Sequence, residues 1–252
     1  MRENKLMTAW QQGRTSVNAW LTIPSPWVAE QMAHAGFDAL TVDMQHGLIG
    51  FETAVTMLQA ISTTDVTPLV RVAWNDPAAI MQVLDAGAYG VICPMISTRA
   101  QAEAFVSACR FPPQGTRSYG PTRGFMYGGP DYVEKANETL LAFALIETAE
   151  AMANLDDIAS TPGMSGLYIG PSDLSINLGV KKRADFSDPV MVDAVGKILA
   201  ACRKHNLIPG VQAQSAANAR RMAEMGFTLV TPLTDISFLK AKAEEAVRET
   251  RG

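Results

Sequence analysis

Cysteine is scarce in this sequence of 252 residues, and its spacing excludes several kinds of site. The three cysteines, Cys93, Cys109 and Cys202, are odd in number and form no C-x-x-C pair. Disulfide-rich proteins and cysteine-ligated zinc sites need paired cysteines at characteristic spacings. The pattern instead predicts unpaired thiols in a protein of the reducing cytoplasm.

Long apolar runs and dense positive charge are also missing. No apolar run reaches the ~18 to 20 residues of a membrane helix, and the polar N-terminal segment MRENKLMTAWQQGRTS lacks the apolar stretch of a signal peptide. The formal net charge is -4, and no basic run alternates with aromatic residues. We therefore expect a cytoplasmic protein that binds neither nucleic acid nor a membrane.

The chain does show a regular alternation of short apolar runs and stretches with helical periodicity. Ser25 and Pro26 are typical of a helix start and Gly36 of a helix end, and Pro77 and Gly87 mark a second helix in the same way. The strand candidates are VNAWLTI, ALTVDMQ, TPLVRV, GVICPMI, LAFALIE, GLYIGPSD, IPGVQA and LVTPLTD. Eight strand–helix units predict an α/β fold, a (β/α)8 TIM barrel that residues 1–252 form as one domain.

Three further absences argue against particular kinds of barrel enzyme. All eight lysines lie outside the strand candidates, whereas a Schiff-base enzyme needs a lysine that points into the barrel mouth. No G-x-G-x-x-G follows the first strand, which weakens a dinucleotide-binding alternative. The turns after the last two strands, VQAQSAAN and TPLTDISF, contain no glycine-rich phosphate site.

Polar and charged side chains stand at the carboxyl ends of several strand candidates, where barrel enzymes carry out their chemistry. His46 is the only one of three histidines at a strand end, so it is a candidate acid–base catalyst, although most single histidines are structural or solvated. Arg71, at the end of the third strand, is either a catalytic cation or half of a structural salt bridge.

Glu147 and Asp173 end the fifth and sixth strand candidates. Adjacent parallel strands lie about 4.8 Å apart, so two such carboxylates can converge. Like charges at that distance repel each other unless a cation or a proton lies between them. Two carboxylates with water and substrate oxygens are typical of a Mg²⁺ or Mn²⁺ site. The alternative is that both acids cap the helices that follow.

Six motifs in order carry a family resemblance: VDMQHG, PLVRVAWNDP, GVICPMI, RFPPQGTRSYG, IETAEAMANLDDI and GLYIGPSDLSINLG. Over roughly residues 17–239 the chain resembles the HpcH/HpaI aldolases, metal-dependent (class II) pyruvate aldolases of the pyruvate/phosphoenolpyruvate barrel superfamily. The resemblance implies reversible cleavage of 4-hydroxy-2-oxo acids to pyruvate, or hydroxypyruvate, and an aldehyde. It also implies a Mg, Mn or Co cofactor and a hexamer, a trimer of dimers, whose C-terminal helix packs on a neighbouring subunit.

The resemblance also implies residue roles. Glu147 and Asp173 would bind the metal, and Arg71 would contact the keto or enolate oxygen. His46 would exchange a proton with the aldol oxygen, and Asp85 would orient it. The backbone at the sixth strand end would hold the substrate carboxylate, with Gly170, Pro171 and Ser172 as its binding residues.

Two departures from the family pattern concern the wall of the pocket. Gln45 stands where relatives carry Glu, and Leu145 stands where they carry Gln. The identity of the aldehyde substrate therefore stays open. The glycine- and proline-rich segment 111–130 interrupts the alternation, and we expect a functional loop with Arg123 as a contact to the aldehyde tail. Two alternatives stay open: a catalytically silent barrel that binds a 2-oxo acid, and a lyase of a related acid or CoA thioester.

Overall fold

Eight parallel strands form the centre of the computed structural model, which describes residues 1–252. They pair in chain order and close into a barrel, which confirms the predicted (β/α)8 fold. The strands are β1 Ser16–Leu21, β2 Ala39–Asp43, β3 Thr67–Arg71, β4 Gly90–Cys93, β5 Leu141–Ile146, β6 Gly166–Ile169, β7 Ile208–Gln212 and β8 Leu229–Thr231.

Thirteen helices surround the barrel or close its ends, and none combines the length and apolar character that a membrane crossing requires. They are α1 Lys5–Gln11, α2 Pro26–Ala33, α3 Phe51–Ile61, α4 Pro77–Asp85, α5 Arg99–Cys109, α6 Thr122–Gly128, α7 Tyr132–Thr139, α8 Ala149–Ala153, α9 Leu155–Ala159, α10 Pro171–Asn177, α11 Pro189–His205, α12 Ala216–Met225 and α13 Asp235–Arg251.

Local chemistry sets the ends of the helices that follow β1 and β3. The side chains of Ser25 and Asp76 each accept a hydrogen bond from a backbone N–H in the first turn of α2 and α4. Gly36 and Gly87 follow these helices with φ of +92° and +103°, a backbone conformation that favours glycine. The predicted starts and stops of both helices are therefore confirmed.

The interior of the barrel is packed with side chains, as is usual for this fold. Leu6 of α1 closes the end where the strands begin. A hydrogen-bonded layer lies nearer the mouth: Asn18 donates to Thr231 at 2.8 Å and accepts from Thr41 at 3.1 Å, and Tyr168 shares a hydrogen bond with Thr231. All four residues are buried, so this layer forms a rigid polar floor below the mouth.

Three local differences from the sequence-based expectation concern helices. Segment 111–130 contains the short helix α6, in which Gly124 and Gly128 lie against the ring of Tyr132. The helix expected after β5 is divided into α8 and α9, and the chain after β6 turns at once into α10.

The three cysteines are buried and unpaired, as predicted.

Candidate active site

A cavity of about 220 Å³ opens at the carboxyl ends of the strands. It brings together most of the predicted site residues: His46, Arg71, Glu147, Gly170, Pro171, Ser172 and Asp173. Its other lining residues include Trp20, Asp43, Leu145, Tyr168, Gln212 and Gln214. A larger concavity of about 500 Å³ lies at the opposite end of the barrel and contains none of these side chains.

Glu147 follows β5 and is 3% exposed. Its Oε1 accepts a hydrogen bond of 2.8 Å from the backbone N–H of Met95, a residue in the left-handed conformation with φ of +58°. Gly170 lies directly beside it, because a Cβ atom there would stand 2.4 Å from Glu147 Oε2. The backbones of two loops therefore hold this carboxylate in place, and only glycine leaves room for it.

Burial raises the pKa of Glu147 to about 7. The Met95 hydrogen bond and the charge of Arg71 act in the opposite direction, while the negative charge of Asp173 adds to the increase. The Asp173 carboxylate is half-buried in the same cavity, at the first turn of α10. Two carboxylates that line one cavity, one of them with a raised pKa, form a site that a divalent cation would stabilise.

The set of possible metal ligands is small. No cluster of three or more His, Cys, Asp or Glu side chains forms a metal site in this chain. Glu147 and Asp173 would therefore supply only part of a coordination sphere, and oxygen atoms of substrate and water would have to complete it. Such an oxygen-rich, open set fits Mg²⁺ or Mn²⁺ and does not fit a closed structural zinc site.

Arg71 stands at the end of β3 and is held by Asp43, which is 1% exposed. Arg71 Nε donates to Asp43 Oδ1 at 2.8 Å and Nη2 donates to Oδ2 at 2.6 Å. The guanidinium also lies 4.9 Å from the centre of the Trp20 ring. Arg71 therefore forms the bidentate salt bridge and also lines the cavity, and its catalytic role stays a prediction.

His46 lies on the turn after β2, and Asp43 shapes that turn as well. Asp43 Oδ1 accepts backbone N–H groups from Gln45 at 3.0 Å and His46 at 3.2 Å. The imidazole is exposed at the cavity rim, and no other side chain in the chain hydrogen-bonds to it. It is therefore free to exchange a proton with a ligand.

Asp85 and Arg123 do not join this group. Asp85 ends α4, which runs away from the mouth, and its carboxylate accepts a hydrogen bond of 2.7 Å from Arg117. Arg123 donates to the carbonyl of Ala86 at 2.6 Å and to Ser62 Oγ at 3.1 Å. The Asp85 carboxylate pairs with Arg117 and the Arg123 side chain binds helix ends, so neither expected contact at the cavity forms within one chain.

The two departures from the family pattern differ in position. Leu145 is buried and lines the cavity. Gln45 does not line it, and Gln45 Oε1 is buried without a hydrogen-bond partner.

Asp43 and Gln212 are site residues to which the sequence interpretation gave no role. Their positions as the last residues of β2 and β7 were a usable signal, because strand ends line the mouth.

The model of the HpcH/HpaI aldolase/citrate lyase family matches residues 17–236. The chain belongs to this family. The match confirms the resemblance given by the six motifs, and it covers all eight strands of the barrel except the first residue of β1.

Curated relatives in the HpcH/HpaI family match over nearly their full length. The hydroxypyruvate/pyruvate aldolase of Rhizorhabdus wittichii is 39% identical, with 98% of this chain and 99% of the relative covered. A 4-hydroxy-2-oxo-heptane-1,7-dioate aldolase of Escherichia coli is 36% identical, with 97% and 94% covered. A crystal structure of a family member from Burkholderia cenocepacia superposes with a TM-score of 0.92 at 31% identity, covering 99% of this chain and 100% of that one. The chain is accordingly a carbon–carbon lyase of the aldolase type.

Proposed function

We propose that this aldolase reversibly cleaves 4-hydroxy-2-oxo acids into pyruvate, or hydroxypyruvate, and an aldehyde, with a divalent metal ion as cofactor. The observation that supports this most directly is the cavity shared by Glu147, Asp173 and Arg71. It offers two carboxylates for a hard cation and one guanidinium for the oxygen of a keto acid.

Glu147 and Asp173 would hold the metal ion, which when bound would polarise the keto group and stabilise an enolate. Arg71, fixed by Asp43, places a permanent positive charge beside the same oxygen. The first N–H groups of α10, after Pro171, have no acceptor within the helix and can donate to the substrate carboxylate. His46 would remove the proton of the C4 hydroxyl during cleavage and return it during synthesis.

Removal of the metal tests this function. The full-length protein, dialysed against EDTA, should lose cleavage of a 4-hydroxy-2-oxo acid, measured as pyruvate through lactate dehydrogenase. Adding Mg²⁺, Mn²⁺ or Co²⁺ should restore it.

Treatment with borohydride in the presence of pyruvate should add no mass to the protein, since no lysine reaches the mouth. Full activity in chelator, or a stable pyruvate adduct, would refute the proposed mechanism.

We further propose a cytoplasmic hexamer in which α13 packs on a neighbouring subunit. Only Asp235 of α13 is buried, and the helix presents apolar side chains such as Leu239 and Val247 to solvent. Trp27 and Trp74 are also exposed, at 66% and 58%. In such an assembly an Asp85–His46 contact would have to join two chains, because one chain does not form it.

A further inference from the structure

One polar side chain of the cavity has no role in the mechanism above. Gln212 ends β7 and lines the cavity, and its Oε1 is buried without a hydrogen-bond partner. Gln214, two residues later, lines the same wall with its backbone in the left-handed region at φ of +67°. Its nearest polar contact is Ser172 Oγ at 3.5 Å, which is long for a hydrogen bond.

The register of the barrel places Gln212 next to the proposed oxo-acid site. Ile146 pairs with Ile169, and Ile169 pairs with Val211. The residues that follow these three are Glu147, Gly170 and Gln212, so they stand level at the ends of three successive strands, each about 4.8 Å from the next. Gln212 therefore stands directly beside Gly170, in the turn proposed to bind the substrate, and it shares the cavity with Glu147, which is one strand further away.

An amide oxygen buried without a partner is costly, and Gln212 Oε1 accepts no hydrogen bond from this chain, so a donor from a ligand would satisfy it. A hydroxyl group both donates and accepts, so it can pair with either end of the amide. A pocket built to hydrogen-bond a hydroxyl also discriminates against the analogue that lacks it, because its own polar group is then left unpaired.

We propose that Gln212 binds a hydroxyl group of the substrate and makes this enzyme selective for hydroxylated substrates. The inference rests on the proposed aldolase function and adds the substrate class to it. The hydroxyl can belong to the oxo acid, as in hydroxypyruvate, or to the aldehyde, as in glycolaldehyde. The chemistry that Gln212 recognises is the same in both cases.

The near-isosteric substitution Gln212→Met tests the proposal, with Gln59→Met as its matched control, since Gln59 is an exposed glutamine of α3 far from the cavity. Carbon–carbon bond formation is measured with added Mg²⁺ in two arms. One arm compares hydroxypyruvate with pyruvate at a fixed aldehyde, and the other compares glycolaldehyde with acetaldehyde at fixed pyruvate. Gln212→Met should lower the hydroxylated-to-plain ratio of kcat/KM about tenfold in at least one arm, and Gln59→Met should leave both ratios unchanged.

The arm in which the ratio falls identifies the source of the hydroxyl. The melting temperature gives a second readout, because replacing an unpaired buried amide with an apolar side chain of similar shape should leave stability unchanged or raise it. If the Met variant does not fold, Gln212→Leu replaces it. Active variants with unchanged ratios in both arms would overturn the inference alone. An inactive wild-type protein in every combination would overturn the proposed function and the inference together.

Discussion

Asp43 connects the catalytic candidates at the scale of single residues. It holds the guanidinium of Arg71 through two hydrogen bonds and the turn that carries His46 through two more. Glu147 is positioned in a similar way. The backbone N–H of Met95 donates to its carboxylate, and Gly170 leaves the space that the carboxylate occupies. The reacting groups are therefore positioned by neighbours that need not touch the substrate themselves.

The pH dependence of stability should report the charge on Asp43. Burial alone would raise the pKa of Asp43, but the hydrogen bond and charge of Arg71 and the N–H groups of the His46 turn outweigh it, so the net pKa is lowered. A lowered folded-state pKa means that the stabilisation is present above the unfolded value of ~3.9 and is lost as pH falls through the folded value. We expect Asp43→Asn to cost roughly 3 kcal/mol of unfolding free energy at neutral pH.

Urea denaturation of wild type and Asp43→Asn, with chelator present, measures this difference from pH ~7 down to pH ~3. The gap between the two proteins should shrink below pH ~4, because Asp43 then binds a proton in the unfolded wild-type chain, and it should close as pH falls through the lowered folded-state pKa. A gap that stays constant over this range would mean that hydrogen-bond geometry, and not charge, carries the contribution.

At the scale of secondary-structure elements, the segment between α5 and α7 stabilises the helical wall of the barrel. It forms α6, whose Arg123 reaches the carbonyl of Ala86, one residue beyond α4, and the side chain of Ser62, which follows α3. Cations at helix carboxyl ends satisfy carbonyl groups that have no partner within the helix. The segment therefore ties two helices of the barrel wall together at the end away from the mouth.

Arg123→Met should therefore lower stability and leave substrate selectivity alone. The loss of the helix-end hydrogen bonds should cost about 1 to 2 kcal/mol, reduced from the full value of a charged hydrogen bond by partial exposure. Thermal unfolding measures this, and KM for aldehydes with and without a carboxylate tail measures selectivity. Arg221→Met on α12, an exposed arginine without partners, is the control. A selective rise in KM for the charged aldehyde at unchanged stability would instead place Arg123 in a substrate site.

The C-terminal helix matters at the scale of the whole molecule. Asp235, its first residue, is buried and accepts hydrogen bonds from the backbone N–H groups of Thr22 and Ile23 and from the Thr22 hydroxyl. Beyond residue 238 nearly every side chain is exposed. The helix is therefore anchored to the end of β1 at one point, and its remaining length is available to another subunit.

Deletion of residues 240–252 should reduce the assembly below a hexamer without unfolding the barrel. The deletion keeps the Asp235 anchor and Leu239, and it removes most of the exposed length of the helix, including Val247 and the charged residues that follow residue 239. Size-exclusion chromatography with light scattering measures the mass, and far-UV circular dichroism checks the fold. An unchanged assembly mass after the deletion would show that α13 does not hold the subunits together.

The sequence by itself determined the barrel and the core of its site. Eight apolar runs separated by capped helical stretches can bury their surfaces only as a parallel sheet covered by helices. The carboxyl ends of such strands meet at one mouth, so Glu147, Asp173, Arg71 and His46 had to approach one another. The barrel fold and the grouping of these four side chains follow from the hydrophobic periodicity and from the order of the strands along the chain, and both can be read from the sequence.

Only the tertiary structure decided which polar side chains are already paired. Arg71 meets Asp43 and Arg123 meets the end of α4, while Gln212 is left without a partner. Asp85 was expected at the cavity, yet it lies at the end of α4 away from the mouth and neutralises the buried Arg117. These outcomes depend on atoms far apart in the chain, and the cost of burying an unpaired polar or charged group decides them only once the whole barrel has closed.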